Sequence, residues 1–107
     1  MRTVLLMVSL AMIGACSMTE GEQACNDLIV WTSDAVYRCE SGTPEKKAAT
    51  RAAAESQLTA QLGCDDAIGI RDKADFYGCC SDWFKTVACD EFLKGMFPAC
   101  CKGQILK

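Results

Sequence analysis

TPEKKAATRAAAESQLTAQLG, residues 43–63, is a helix with both of its ends written into it. Thr43 is suited to the N-cap, because its hydroxyl can accept a hydrogen bond from an orphan amide of the first turn. Pro44 fits the first helical position, where its missing N–H is no loss and its φ is preset. Glu45 puts negative charge at the positive end of the helix dipole. The run that follows is dominated by Ala, Leu, Gln and Lys, the strongest helix formers. Gly63 can take the left-handed conformation that closes a helix. A helix this well marked sets the class of the fold, and its flanks agree with it.

Upstream, Cys25, Leu28, Ile29, Thr32, Ala35, Val36 and Cys39 recur at three- and four-residue spacing, which predicts a helix ended by Glu40-Ser41-Gly42. Downstream, a third helix is expected from Ile70 to Val87, with Phe76, Cys79 or Cys80, Trp83 and Val87 inward. Gly78 weakens its middle by about 1 kcal/mol relative to Ala, and packing room beside a disulfide would account for it. Asp90 to Lys94 makes a short fourth helix, stopped by Gly95 and Pro98. No segment alternates apolar and polar long enough to be a strand. The expected fold is all-α, a small disulfide-stapled helical bundle of three to four helices.

Nine cysteines punctuate these elements: Cys16, Cys25, Cys39, Cys64, Cys79, Cys80, Cys89, Cys100 and Cys101. Setting Cys16 aside leaves an even eight in about ninety residues, the density of a disulfide scaffold made in an oxidising compartment. With no histidine and no C-x-x-C, the spacings of a zinc site are missing, and no metal is expected. Cys25 and Cys39 lie fourteen residues apart on one helix, about 21 Å along its axis. Disulfide Cα atoms lie within about 7 Å, so each must reach another element. Cys79 and Cys80 are helical neighbours about 100° apart and should take different partners, and Cys100-Cys101 repeats the arrangement. The map itself stays open among 105 connectivities.

Such staples compensate for a thin interior. Its candidates are Leu28, Trp31 or Val36, Leu58, Leu62, Ile68, Phe76, Trp83, Phe84, Val87, Phe92, Leu93 and Phe97, a meagre set for a chain whose single core is marginal.

The N-terminus gives an address. Met1-Arg2 precedes an apolar run from Thr3 to Ala15, too short to span a bilayer, which reads as a signal peptide over residues 1–15. Ile13-Gly14-Ala15-Cys16 resembles a bacterial lipobox, in which Cys16 would receive diacylglycerol and become the new N-terminus. Conventional cleavage after Ser17 is the alternative. Residues 16–24 are then the acylated cysteine with a short polar tether, and residues 25–107 the disulfide-rich helical domain.

Charge and motif content narrow the function. Eleven Lys and Arg stand against fourteen Asp and Glu, and the basic residues are scattered singly or as Lys46-Lys47. Neither nucleic acid nor anionic lipid is gripped by such a surface. Without histidine there is no Ser-His or Cys-His pair. The acid pairs Asp65-Asp66, Asp72 with Asp75, and Asp90-Glu91 read as helix-start charges rather than a catalytic or calcium site. No catalytic residue and no cofactor is expected. Trp31 and Trp83 are the residues a partner surface would use, with core packing as their plainer role.

CCSDWFKTVACDEFLKGMFPACCKGQIL, residues 79–106, has two cysteines nine positions apart followed by Phe92, Gly95, Pro98, Cys101 and Gly103. In this spacing the chain resembles the small cysteine-rich helical lipoproteins of myxobacteria and related delta-proteobacteria, which also begin with a lipobox. The resemblance implies attachment at the outer membrane or cell surface and no assigned activity. The doubled Cys79-Cys80 and Cys100-Cys101 exceed that pattern. The expectation is an exported, lipid-anchored protein with a binding or structural role at the envelope, contacting the membrane through its anchor and a protein partner of unknown identity. The alternative is a soluble secreted effector or venom-type toxin acting on a receptor, a class in which adjacent cysteines also occur.

Overall fold

Helix α1 (Glu20–Cys39) is the axis on which everything else is hung. The computed structural model describes residues 18–107, so the expected signal peptide and Cys16 lie outside the described residues. Thr19 caps α1, its hydroxyl accepting from the Glu22 amide at 3.0 Å while donating to the Ala67 carbonyl at 2.8 Å. Glu20 and Glu22 in the first turn and Arg38 in the last suit the helix dipole. The helix therefore starts five residues before Cys25, and the stretch read as a tether belongs to the domain from Thr19 onward. A close approach fixes this start: a Cβ on Gly21 would lie 2.3 Å from the Gly69 nitrogen.

Helix α2 (Pro44–Leu62) follows its sequence signals, with Thr43 accepting from the Lys46 amide and Gly63 left-handed at φ 57°. None of its residues is fully buried. It lies on α1 through a half-buried stripe that includes Thr50, Arg51, Ala54, Leu58 and Leu62. Arg51 pairs with Asp34 at 2.8 Å across that contact.

The third helix is shorter than expected and irregular. α3 runs without interruption through Lys73–Asp75, a π-helical turn at Phe76–Cys80, and Ser81–Thr86. Its N-cap is Asp72, whose carboxylate accepts from the Asp75 amide at 3.1 Å. Ile70, expected inside this helix, belongs instead to a two-stranded antiparallel ribbon of β1 (Gly69–Ile70) and β2 (Ile105–Leu106). The partner strand is far along the chain, and local periodicity cannot see it. Helix α4 (Cys89–Leu93) and a 3₁₀ turn at Ala99–Cys101 complete the fold. It is a small all-α domain stapled by disulfides, with almost no sheet.

Eight cysteines form four bonds: Cys25–Cys64, Cys39–Cys89, Cys79–Cys100 and Cys80–Cys101. Both ends of α1 are thus tied, one to the end of α2 and the other to α4. Cys79-Cys80 and Cys100-Cys101 form a twin staple, adjacent residues paired in parallel with adjacent residues. A π turn takes more residues per turn than an α-helix, which brings consecutive side chains closer in direction and lets neighbours reach neighbours. Gly78 lies in that turn, but a Cβ there would meet nothing within 4 Å, so the glycine is not needed to make packing room beside a disulfide.

The core lies between α1 and α3, where Ala24, Ala35, Phe76, Cys80, Phe84, Val87, Phe92 and Cys100 are buried. Three expected members are exposed instead: Ile68 and Leu93 are each 69% exposed and Phe97 39%. Leu93 faces out because the five-residue α4 can bury one side only, and Phe92 occupies it. In their place the interior admits Gln104, 1% exposed. Its Oε1 accepts from the Asp72 amide and its Nε2 donates to the Cys100 carbonyl, each at 2.9 Å. Paired at both its oxygen and its nitrogen, a buried amide is tolerated.

Candidate functional site

Between α2 and the rest of the domain an apolar groove of about 200 Å³ remains. Leu28 and Thr32 of α1 form its floor with Phe84 of α3, Leu58 and Leu62 of α2 form one wall, and Phe97, Cys101 and Lys102 complete the lining. Leu58 and Leu62 were expected in the core; they are half-buried because α2 has nothing packed on its far side. The one hydroxyl in the lining, that of Thr32, is already donated to the Leu28 carbonyl at 2.7 Å. The surface a ligand meets is therefore almost wholly carbon and sulfur, with the exposed Lys102 as its charged group.

Trp83 stands behind the groove, its ring centroid 5.2 Å from Phe97 and 4.9 Å from Phe84. Trp31 packs at a tilt on Phe76, centroids 4.9 Å apart, and meets Tyr77 edge-on at 5.7 Å. Both indoles are half-buried packing residues of the aromatic core, and neither projects as an anchor for a partner.

A second hollow, at the start of α1, mixes polar and apolar groups. Met18, Thr19, Glu20, Gln23, Ile70, Lys73 and Tyr77 line it, and Lys73 pairs with Glu20 across it at 3.1 Å. Tyr77 donates to the Asp27 carboxylate at 2.7 Å. Burial, then this hydrogen bond and the negative charges of Asp27 and Glu20, push the Tyr77 hydroxyl up to about 12. At neutral pH it is a fixed donor with a structural role.

The acid pairs do not converge on one another. Asp72 caps α3, Asp65 and Asp66 sit in the 3₁₀ turn after α2, and Asp90 and Glu91 in the first turn of α4. Among the described residues no three His, Cys, Asp or Glu side chains gather as a metal site. Lys102 had no signal in the sequence to set it apart from other lysines. The groove as a whole could have been suspected from α2, whose apolar stripe is too narrow to be buried on all sides.

Fold and site together define a disulfide-stapled helical domain with a shallow apolar groove. No protein-family model, curated protein or solved structure matches the chain. Its function is therefore argued from its own residues. The four disulfides fit an oxidising compartment, and no helix among the described residues is long and apolar enough to cross a membrane.

Proposed function

We propose that this chain is an exported lipoprotein, acylated on Cys16, whose helical domain acts by binding at the cell envelope and carries out no chemistry. The supporting observation is cysteine use. The four disulfides consume all eight cysteines of the domain, leaving the ninth, Cys16, at the end of the apolar run where a lipobox has its cysteine. Two or more acyl chains anchor stably where one does not. Because the cap of α1 is Thr19, three residues after Cys16, anchor and domain would be separated by at most about 11 Å. The domain would ride on the membrane surface.

Fractionation tests this. The wild-type protein should partition into detergent with membranes and carry acyl mass on Cys16, and Cys16→Ser should block acylation with the four disulfides intact. A wild-type product that is soluble, unacylated and begins after Ser17 overturns the anchor and favours the secreted effector.

A further inference from the structure

We infer that the groove between α1, α2 and the C-terminal segment binds the alkyl tail of a single-chain carboxylate, a fatty-acid-like amphiphile, with Lys102 meeting the head group. The inference rests on the binding role proposed above but not on the anchor. Polarity decides the class of occupant. The lining offers Leu28, Leu58, Leu62, Phe84 and Phe97, and its one hydroxyl is already engaged. A ligand with polar groups along its length would bury them unpaired, at a penalty an alkyl chain does not incur. Size agrees: a 150 Å³ apolar cavity takes up benzene, and a water-sized group fills about 30 Å³. At about 200 Å³ the groove accommodates about seven methylenes by that measure.

Charge selects the head group. In a chain of net charge −3 the groove has ammonium groups near it. Lys102 belongs to the lining, and the Lys107 ammonium donates to the carbonyl of Leu62, a lining residue. Neither lysine forms an ion pair among the described residues. None of Asp65, Asp66, Asp72, Asp75, Asp90 and Glu91 lines the groove; the Asp66 carboxylate lies near Lys107 at Gly63, which leaves Lys102 as the cation for the head group. An anionic head is therefore favoured over a cationic or neutral one.

The object to test is the chain from Ser17 exported through a cleavable signal, since residues 18–107 contain the whole core and all four disulfides. Hexanoate, octanoate, decanoate and dodecanoate, with 1-octanol as uncharged control, are titrated below their micellar concentrations. Calorimetry and tryptophan fluorescence, compared with that of Trp31→Phe to isolate Trp83, give the readout. Binding should saturate at one per chain. Affinity should rise by about fourfold for each fully buried methylene and level off once the groove is filled, near octanoate to decanoate. Lys102→Glu should weaken octanoate at least fivefold and change octanol less than twofold. Leu58→Trp, which fills the groove from a half-buried position, should abolish both; near-ultraviolet circular dichroism confirms its fold. Absence of saturable binding, affinity that climbs without levelling, or Lys102→Glu without effect on octanoate overturns the inference. So does a chain dimer that Leu58→Trp dissolves, which would make a second copy the occupant. Because this chain has no Cys16, failure here leaves the anchor standing, and loss of the anchor leaves this result standing.

Discussion

Removing one half of the twin staple should cost much less than its loop length suggests. Cys79–Cys100 and Cys80–Cys101 each span 21 residues, and closing such a loop alone restricts the unfolded chain by about 3.4 kcal/mol in the chain-entropy model. With one bond in place, however, the other closes only the small ring of Cys79, Cys80, Cys100 and Cys101, worth about 2 kcal/mol in the same model. Each bond also contains one buried sulfur, on Cys80 at 0% exposure and Cys100 at 8%. Losing those contacts adds a similar packing cost to each deletion, which cancels in a double-mutant cycle. The cycle compares wild type, Cys79→Ala/Cys100→Ala, Cys80→Ala/Cys101→Ala, and the variant lacking all four. Denaturant unfolding is followed by tryptophan fluorescence at one fixed sulfate concentration, which keeps the weakest variant folded. The fourfold variant should lose about 1.5 kcal/mol more than the two single-bond losses added together. Additivity within about 0.5 kcal/mol would refute the loop-closure reasoning and make the two bonds independent.

Three further outcomes are expected. Gly21→Ala drives a Cβ against the backbone at Gly69, Ile68 and Ala67, within 2.8 Å of each, so stability should fall by at least about 2 kcal/mol, read as a drop in Tm. Gln104→Leu strands the Asp72 amide and the Cys100 carbonyl, costing about 2–4 kcal/mol and accelerating hydrogen exchange at Asp72. In alkaline titration followed by tyrosinate absorbance, Tyr77 should ionise near 12. The fold favours its neutral form, so its contribution is intact below the ordinary tyrosine value of about 10 and is lost as pH rises through 12. Tyr77→Phe should flatten that decline, and Asp27→Asn should lower the pKa without restoring the ordinary value, because burial is the leading cause.

Local signals were legible and non-local ones were not. Thr43, Pro44 and Gly63 mark α2 at both ends because capping depends on neighbours in the chain. Thr19 with Glu22 is likewise a capping pair in the sequence, and it places the start of α1 that the cysteine stripe alone puts too late. The separation of Cys25 and Cys39 on one helix correctly required two outside partners. Which partners they take depends on how α2 and α4 lie against α1, and no residue encodes that by itself. Ile70 pairs with Ile105, and the π turn at Phe76–Cys80 is matched to cysteines 21 residues away. The narrow apolar stripe of α2 hints at an uncovered face, but the far wall of the groove was hidden for the same reason. Leu58, Leu62 and Phe97 read as core until the structure places α2 at the edge of the domain, with no element covering it.

Whether Cys16 carries lipid, and which cysteines are joined, can be read in a single measurement. Intact mass of the protein isolated from both membranes and medium of its native source, with and without reduction, followed by non-reducing peptide mapping, reads both at once. The N-terminus should be Cys16 with added acyl mass. Reduction should add four pairs of hydrogens, and the linked peptides should be Cys25–Cys64, Cys39–Cys89, Cys79–Cys100 and Cys80–Cys101. An unacylated N-terminus after Ser17, a free thiol within the domain, or Cys25 linked to any residue but Cys64 would contradict it.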